Sequence, residues 1–265
     1  MTFLLPVTSI LLHAKFLCRL DSDGLVGFVD VEGQGAEDGT YDTLLALPLL
    51  VTSKIVLFNH KGAPTVSHML SQLGVLARAA EYIDLGEAGS NKKGKKKPFG
   101  HLHVMFRDFS FEGSEEDVYD QLMGKEKLGT KSLKPTSNDP YKAAQERNDI
   151  RDLLIANFES INVWLFKQPS SPSNLRAHEE LPEELVDPSF IQTCKRLLAT
   201  VTGQLKRPKY FNGAALNGPK LRTLITQVCS QLNEGGAISV PSVFKAMESE
   251  TLVLDLFFNF FCVLN

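Results

Sequence analysis

Phe28-Val29-Asp30-Val31-Glu32-Gly33-Gln34-Gly35 carries an apolar strand end into an acidic turn punctuated by glycine, and Phe106-Arg107-Asp108-Phe109 again sets a carboxylate at a strand tip. In Asp-x-x-Gly, the Asp30 carboxylate can hold a magnesium ion through water, and Gly33 lets its backbone N–H approach a terminal phosphate. Asp108 suits a different task. A carboxylate there can accept from the adjacent N–H donors on the Watson–Crick edge of guanine, a bidentate charge-assisted pairing that adenine cannot reproduce. Just upstream, Ser9 to Leu20 and Leu25 to Asp30 are apolar runs joined by the turn cluster Asp21-Ser22-Asp23-Gly24, which reads as a β-hairpin ending at Asp30.

Outward from these motifs, strand and helix signals alternate. Leu44, Leu47 and Leu50 or Val51 mark the inner face of a helix that leads to a strand over Lys54 to Asn59. Pro64 opens a helix through Ile83, with Val66, Leu70, Leu73, Ala77 and Ala80 at roughly helical spacing. His101 to Asp108 reads as a strand, Glu112 to Asn138 as a polar segment with short helical patches, and Asn162 to Phe166 as another strand. Asp139-Pro140, Asp187-Pro188 and Asn217-Gly218-Pro219 look like helix starts, with a capping side chain before a first-turn proline. The alternation predicts an α/β fold whose sheet is mostly parallel after the starting hairpin.

The order and spacing of Asp30-x-x-Gly33, Arg107-Asp108 and Asn217-Gly218-Pro219 resemble the guanylate-binding protein and atlastin branch of the dynamin superfamily, in which Arg-Asp replaces the usual Asn-Lys-x-Asp. The resemblance runs from about Lys15 to Glu248. It takes in Tyr41 to Val51, Lys54 to Asn59, Val163 to Pro169, Leu185 to Phe190 and Leu216 to Leu221, and guanylate-binding-type proteins fit better than atlastins. It implies a P-loop GTPase-like three-layer α/β sandwich over residues 1–240, incomplete at its N-terminus, and the start of a helical region over 241–265.

The same resemblance implies binding of GTP and GDP with Mg2+, and hydrolysis coupled to head-to-head dimerisation of nucleotide-loaded domains, as a homodimer or with family members. Asp30 would hold the magnesium through water, Gly33 would meet the terminal phosphate, Glu32 would help organise the catalytic water, and Asp108 would read guanine, with Arg107 shaping that pocket. The implied setting is cytoplasmic, with room for peripheral association with intracellular membranes.

Two departures accompany the match. The phosphate-cradling pattern Gly-x-x-x-x-Gly-Lys-Ser/Thr has no counterpart before Asp30; the nearest run, Gly89 to Lys96, lacks the final hydroxyl, follows a helix and lies downstream of the acidic turn. The chain is therefore expected to start just before the first hairpin arm, as an N-terminally truncated member that is weak or inactive alone. The alternative is a non-catalytic pseudo-GTPase module that pairs with complete homologues. The second departure is Lys167-Gln168, which stands before Pro169 where the family carries an acidic-basic pair in the loop over the base.

Composition sets the class. The chain has 265 residues, 43% of them hydrophobic, enough for a large core, and a net charge of −3, which argues against a general nucleic-acid binder. Cys18, Cys194, Cys229 and Cys262 form no Cys-x-x-Cys pair, a spacing that favours neither disulfides nor a zinc site. Met1 to His13 lacks a basic n-region and contains Pro6, against a signal peptide. Pro241 to Glu250 reads as a helix start with Phe244 and Met247 on one face. Thr251 to Asn265 is apolar but too short to span a bilayer, and carries Asp255 and Asn259.

Each candidate has a plainer competitor. Asp30 can cap a turn, Glu32 can be a solvated loop residue and Arg107 a surface strand residue. His101 and His103 share a strand face, which suits a metal pair, but no third ligand is placed beside them. Lys92 to Lys97 can meet phosphate or an anionic membrane, or stay extended by mutual repulsion.

Overall fold

Leu17–Asp21 (β1) and Gly24–Phe28 (β2) pair antiparallel, with Leu17 opposite Phe28 and Asp21 opposite Gly24. This is the hairpin that the cluster at 21–24 predicts. Gly39–Thr52 forms α1, which turns Leu47, Leu50 and Val51 inward; Ile55–Lys61 follows as β3, and Val66–Arg78 as α2. A 3-10 turn at Ala79–Tyr82 leads into β4, Ile83–Asp84. Next come β5 (Phe99–Arg107), α3 (Glu115–Met123), α4 (Pro140–Asn157), β6 (Phe158–Leu165) and α5 (Pro172–Ala177). The chain continues through α6 (Pro188–Leu205), β7 (Tyr210–Phe211), β8 (Ala214–Ala215), α7 (Gly218–Asn233), β9 (Ile238–Ser239) and a helix over 240–249, α8. This computed structural model describes residues 17–21, 24–28, 39–61, 65–84, 97–110, 112–129, 139–177 and 181–249.

Capping chemistry sets the helix starts. Asp139, Asp187 and Asn217 each accept a backbone N–H of the first turn, from Tyr141, Ser189 and Lys220, and a proline stands at N1 or N2 in all three. Ser114 and Asp117 close a reciprocal capping box on α3.

The described residues fall into two compact units, one drawn from Met1–Thr52, Arg78–Pro98 and Pro208–Asn265, the other from Ser53–Ala77 and Phe99–Arg207. In the first, α1 packs on α7, β4 pairs in parallel with β9, and Leu47, Leu50, Leu224, Val228, Ile238 and Met247 are buried. In the second, a parallel sheet of order β3-β5-β6 is the frame. The fold is thus mixed α/β: this sheet is parallel throughout, and the antiparallel hairpin β1–β2 forms a separate two-stranded sheet. β5 is paired on both sides, and Phe99, Leu102, Val104 and Phe106 are fully buried along it.

Strand limits differ from the sequence reading by a few residues. β3 runs on to Lys61, because pairing with β5 continues as far as Arg107. β6 begins at Phe158, directly after α4, since Phe158 pairs with Phe99 and its ring meets that of Phe99 at a tilt, centroids 5.1 Å apart; the polar residues Glu159 and Ser160 hide that start in the sequence.

Gly100 enters β5 where nothing larger fits. A Cβ there would lie 2.0 Å from the Lys54 carbonyl oxygen, the same oxygen that accepts from the His101 N–H at 2.9 Å. Gly100→Ala therefore has to displace backbone at the entry to both strands, and a loss of about 1–3 kcal/mol is expected in urea unfolding.

A buried cation organises the turn after α3. Arg151, 1% exposed, donates from Nε to the Leu122 carbonyl at 2.9 Å and from Nη1 to Asn148 Oδ1 at 2.9 Å, and pairs with Glu126 at 3.0 Å. Arg147 grips the same carboxylate with Nε and Nη2. Those donors hold the Glu126 pKa down to about 2 from an ordinary 4.5, Arg147 contributing most and Arg151 adding to it against the cost of burial. Because the folded-state value is depressed, the carboxylate's contribution is complete above its unfolded value and is lost as pH falls toward 2. Glu126→Gln is expected to flatten the decline of urea midpoints between these two pH values while lowering stability at neutral pH.

Candidate functional site

Three parallel strands end at one edge, the place where open α/β sheets gather ligands. At that edge Lys61 closes β3 opposite Arg107, which closes β5 and is exposed. Asp108 comes next and leaves the strand with φ +57°, a left-handed turn that aspartate tolerates better than most residues. The turn is fastened to β6 on both sides: the Phe166 N–H donates to the Phe106 carbonyl at 2.8 Å, and the Phe109 N–H to the Phe166 carbonyl at 2.9 Å. Phe106, Phe109 and Phe166 are buried around it. The carboxylate between them stays 37% exposed, enough to meet a ligand, and Lys61 Nζ stands 3.8 Å from Oδ2.

The loop after β6 lies beside this turn. Lys167 and Gln168 are exposed on it, and the next residues are tied down: the Asp187 N–H donates to the Pro169 carbonyl at 2.7 Å, and Ser170 Oγ to the Leu185 carbonyl at 2.6 Å. Asp187 is itself held below the usual carboxylate range, first by the Ser189 hydroxyl, then by the Ser189 N–H, with the Lys167 charge adding a little. The loop is therefore an anchored rim that presents an amide and an ammonium.

Arg107 and Asp108 thus come together with Lys61, a partner that sequence reasoning missed because only the β3–β5 register reveals it. Asp30, Glu32 and Gly33 lie outside the described residues, as do Gly89 to Lys96 and the tail from Thr251. Among the described residues, no group of three His, Cys, Asp or Glu side chains could hold a metal ion.

The two strand histidines are engaged in hydrogen bonds. His103, fully buried, accepts at Nδ1 from Trp164 Nε1 at 2.9 Å, which leaves its proton on Nε2 to donate to Gln204 Oε1 at 2.8 Å. Burial lowers its pKa, partly offset by Gln204, so the imidazole is a neutral structural link and no metal ligand. His101 meets Ser160 Oγ at Nδ1, 2.9 Å, and Glu159 at Nε2, 3.1 Å. Cys194 and Cys229 are free thiols whose pKa values burial pushes up, away from nucleophilic chemistry.

The family profile for the guanylate-binding protein N-terminal domain matches residues 13–208. The chain belongs to the guanylate-binding protein family. It is 26% identical over 229 residues to guanylate-binding protein 7 of Mus musculus, covering 83% of this chain and 34% of that protein. Identity is 24% over 236 residues with human guanylate-binding protein 5 (87% and 38%) and 25% over 230 residues with human guanylate-binding protein 2 (83% and 36%). The chain spans about a third of the length of these curated relatives.

The left-handed backbone at Asp108 separates its structural from its chemical role. Asp108→Asn keeps a side chain at ease there and should leave urea stability nearly unchanged, whereas Asp108→Val should lose roughly 1–2 kcal/mol, since a β-branched residue clashes at positive φ.

Proposed function

We propose that this chain carries the guanine-reading half of a GTP-binding and GTP-hydrolysing site of the guanylate-binding type. The observation that carries the reading is Arg107-Asp108 at the C-terminal tip of a doubly paired parallel strand, with the carboxylate held in a fixed, partly open turn. Asp108 accepts from the N1–H and the N2 amino group of guanine, and Arg107 borders the base. Lys167 and Gln168 form the rim on the β6 side.

Asp30 would hold Mg2+ through water, Gly33 would face the terminal phosphate and Glu32 would support the attacking water. The ion, when bound, supplies charge neutralisation at the phosphates. In the complete protein, hydrolysis would accompany head-to-head dimerisation, with the GTPase domain covering residues 1–240, helices from 241 onward, and a cytoplasmic setting that permits peripheral membrane contact. Among the described residues, no helix is long and apolar enough to cross a membrane.

A second reading, a pseudo-GTPase module that pairs with complete homologues, is favoured by one sequence fact. The pattern Gly-x-x-x-x-Gly-Lys-Ser/Thr occurs nowhere in the 265 residues, so the ligands that usually hold the phosphates are not among them.

Calorimetry with a nucleotide series tests both readings. The chain is expected to prefer guanine over adenine nucleotides but to gain little from GMP through GDP to GTP, because on this reading Asp108 supplies base contacts while the sequence holds no P-loop pattern. Each missing charge-assisted bond contributes about 1.5–3 kcal/mol, so two or three of them remove on the order of 10²–10⁶ in affinity. Asp108→Asn should shift the preference toward xanthine, whose 2-oxo group accepts from the new amide. Submicromolar GTP binding would overturn the weak-binding expectation, and an unchanged guanine preference in Asp108→Asn would remove Asp108 as the reader.

A further inference from the structure

The opposite edge of the same sheet holds a second concentration of charge. Lys54, just ahead of β3, donates from Nζ to Glu159 Oε2 at 3.0 Å, and His101 Nε2 meets the same oxygen at 3.1 Å. These groups line a cleft of about 560 Å³ whose other wall is the last turns of α6, with Gln204, Lys206 and Arg207. Arg107 lies six residue steps along β5 from His101, which puts the cleft ~20 Å from the base reader.

Three features give the cleft a chemical preference. Three cations, Lys54, Lys206 and Arg207, line it with a single carboxylate, Glu159, which holds Lys54; the exposed pair at the helix end forms no ion pair among the described residues. Complementing the negative end of α6 accounts for two basic residues there, but not for their convergence with Lys54 around a cavity. Gln204 spends its carbonyl oxygen on His103, which leaves its amide group as a donor, and that carbonyl is fixed by the His103–Trp164 bond behind it. The volume lies in the range of small-molecule sites and well above what a bare inorganic ion fills.

We propose that this cleft binds a phosphate monoester carried on a polar body, either a soluble sugar or inositol phosphate or the headgroup of a phosphorylated lipid. Arg207 suits the bidentate contact to phosphate oxygens, and Lys54 and Lys206 supply charge without fixed geometry. Glu159, already shared by Lys54 and His101, orients the Lys54 ammonium and is placed to accept from a hydroxyl of the ligand's body.

The experiment is calorimetry of the full chain with inositol trisphosphate, and sedimentation with phosphatidylcholine vesicles with and without phosphatidylinositol phosphate. Wild type is expected to bind the soluble probe in a salt-sensitive manner. Lys206→Gln with Arg207→Gln, both exposed and checked for folding by circular dichroism, should weaken binding about tenfold or more; Arg207→Lys should recover only part of it. Asp108→Asn should leave it unchanged. Sedimentation with the phosphoinositide vesicles alone assigns the ligand to a lipid, and binding of the free phosphate with no vesicle preference assigns it to a soluble molecule. Failure of every probe to bind, binding indifferent to the double variant, or binding lost in Asp108→Asn overturns the proposal.

Discussion

Pairing of β5 on both sides is the constraint on which the second unit rests. A parallel strand between two others has no free backbone, so its side chains must be covered on both faces and its ends must fall where the neighbours end. Phe99, Leu102, Val104 and Phe106 are fully covered in this way, and the tight entry at Gly100 fixes the register with the residue before β3. Because the register is fixed at the entry, the exit is fixed too. Lys61, Arg107 and the Asp108 turn arrive at one edge, and Lys54, His101 and Glu159 at the other.

The capped helices and the strands with apolar runs were legible in the sequence because their signals are local. Asp139, Asp187 and Asn217 each combine a capping side chain with a proline at the first turn, and each starts a helix. The two-residue pairs β4–β9 and β7–β8 were not legible, since two residues carry no periodicity. Glu126, Arg147 and Arg151 were likewise invisible: a half-buried ion cluster spanning more than twenty positions leaves no pattern, and three charged residues in a polar stretch read as a solvated surface. At the candidate site, Arg107-Asp108 was readable as a motif, while Lys61 and the tethering of Phe166 emerge only from strand register.

Polar groups within this sheet are arranged in linked sets. His103, Trp164 and Gln204 form one set, and Arg196 lies 5.5 Å over the Trp164 ring while gripping Glu115 with two bonds of 2.6 and 3.0 Å. The set ties β5, β6, α3 and α6 together through directed contacts, so α6 can keep Leu198 on its outer face, 66% exposed, and still hold its place. Directionality here replaces some of the apolar area that a helix would otherwise need.

Trp164 is the single tryptophan of the chain. It lies on β6 two residues before Phe166, the anchor of the Asp108 turn, and its indole nitrogen is bonded to the imidazole behind Gln204. The ring has a guanidinium 5.5 Å over its face and a buried imidazole at its nitrogen, so a shift of α6 or β5 changes the polarity that the indole meets. The molecule carries its own optical probe, placed between the two edges, and a rearrangement at one of them can be followed by light without a label.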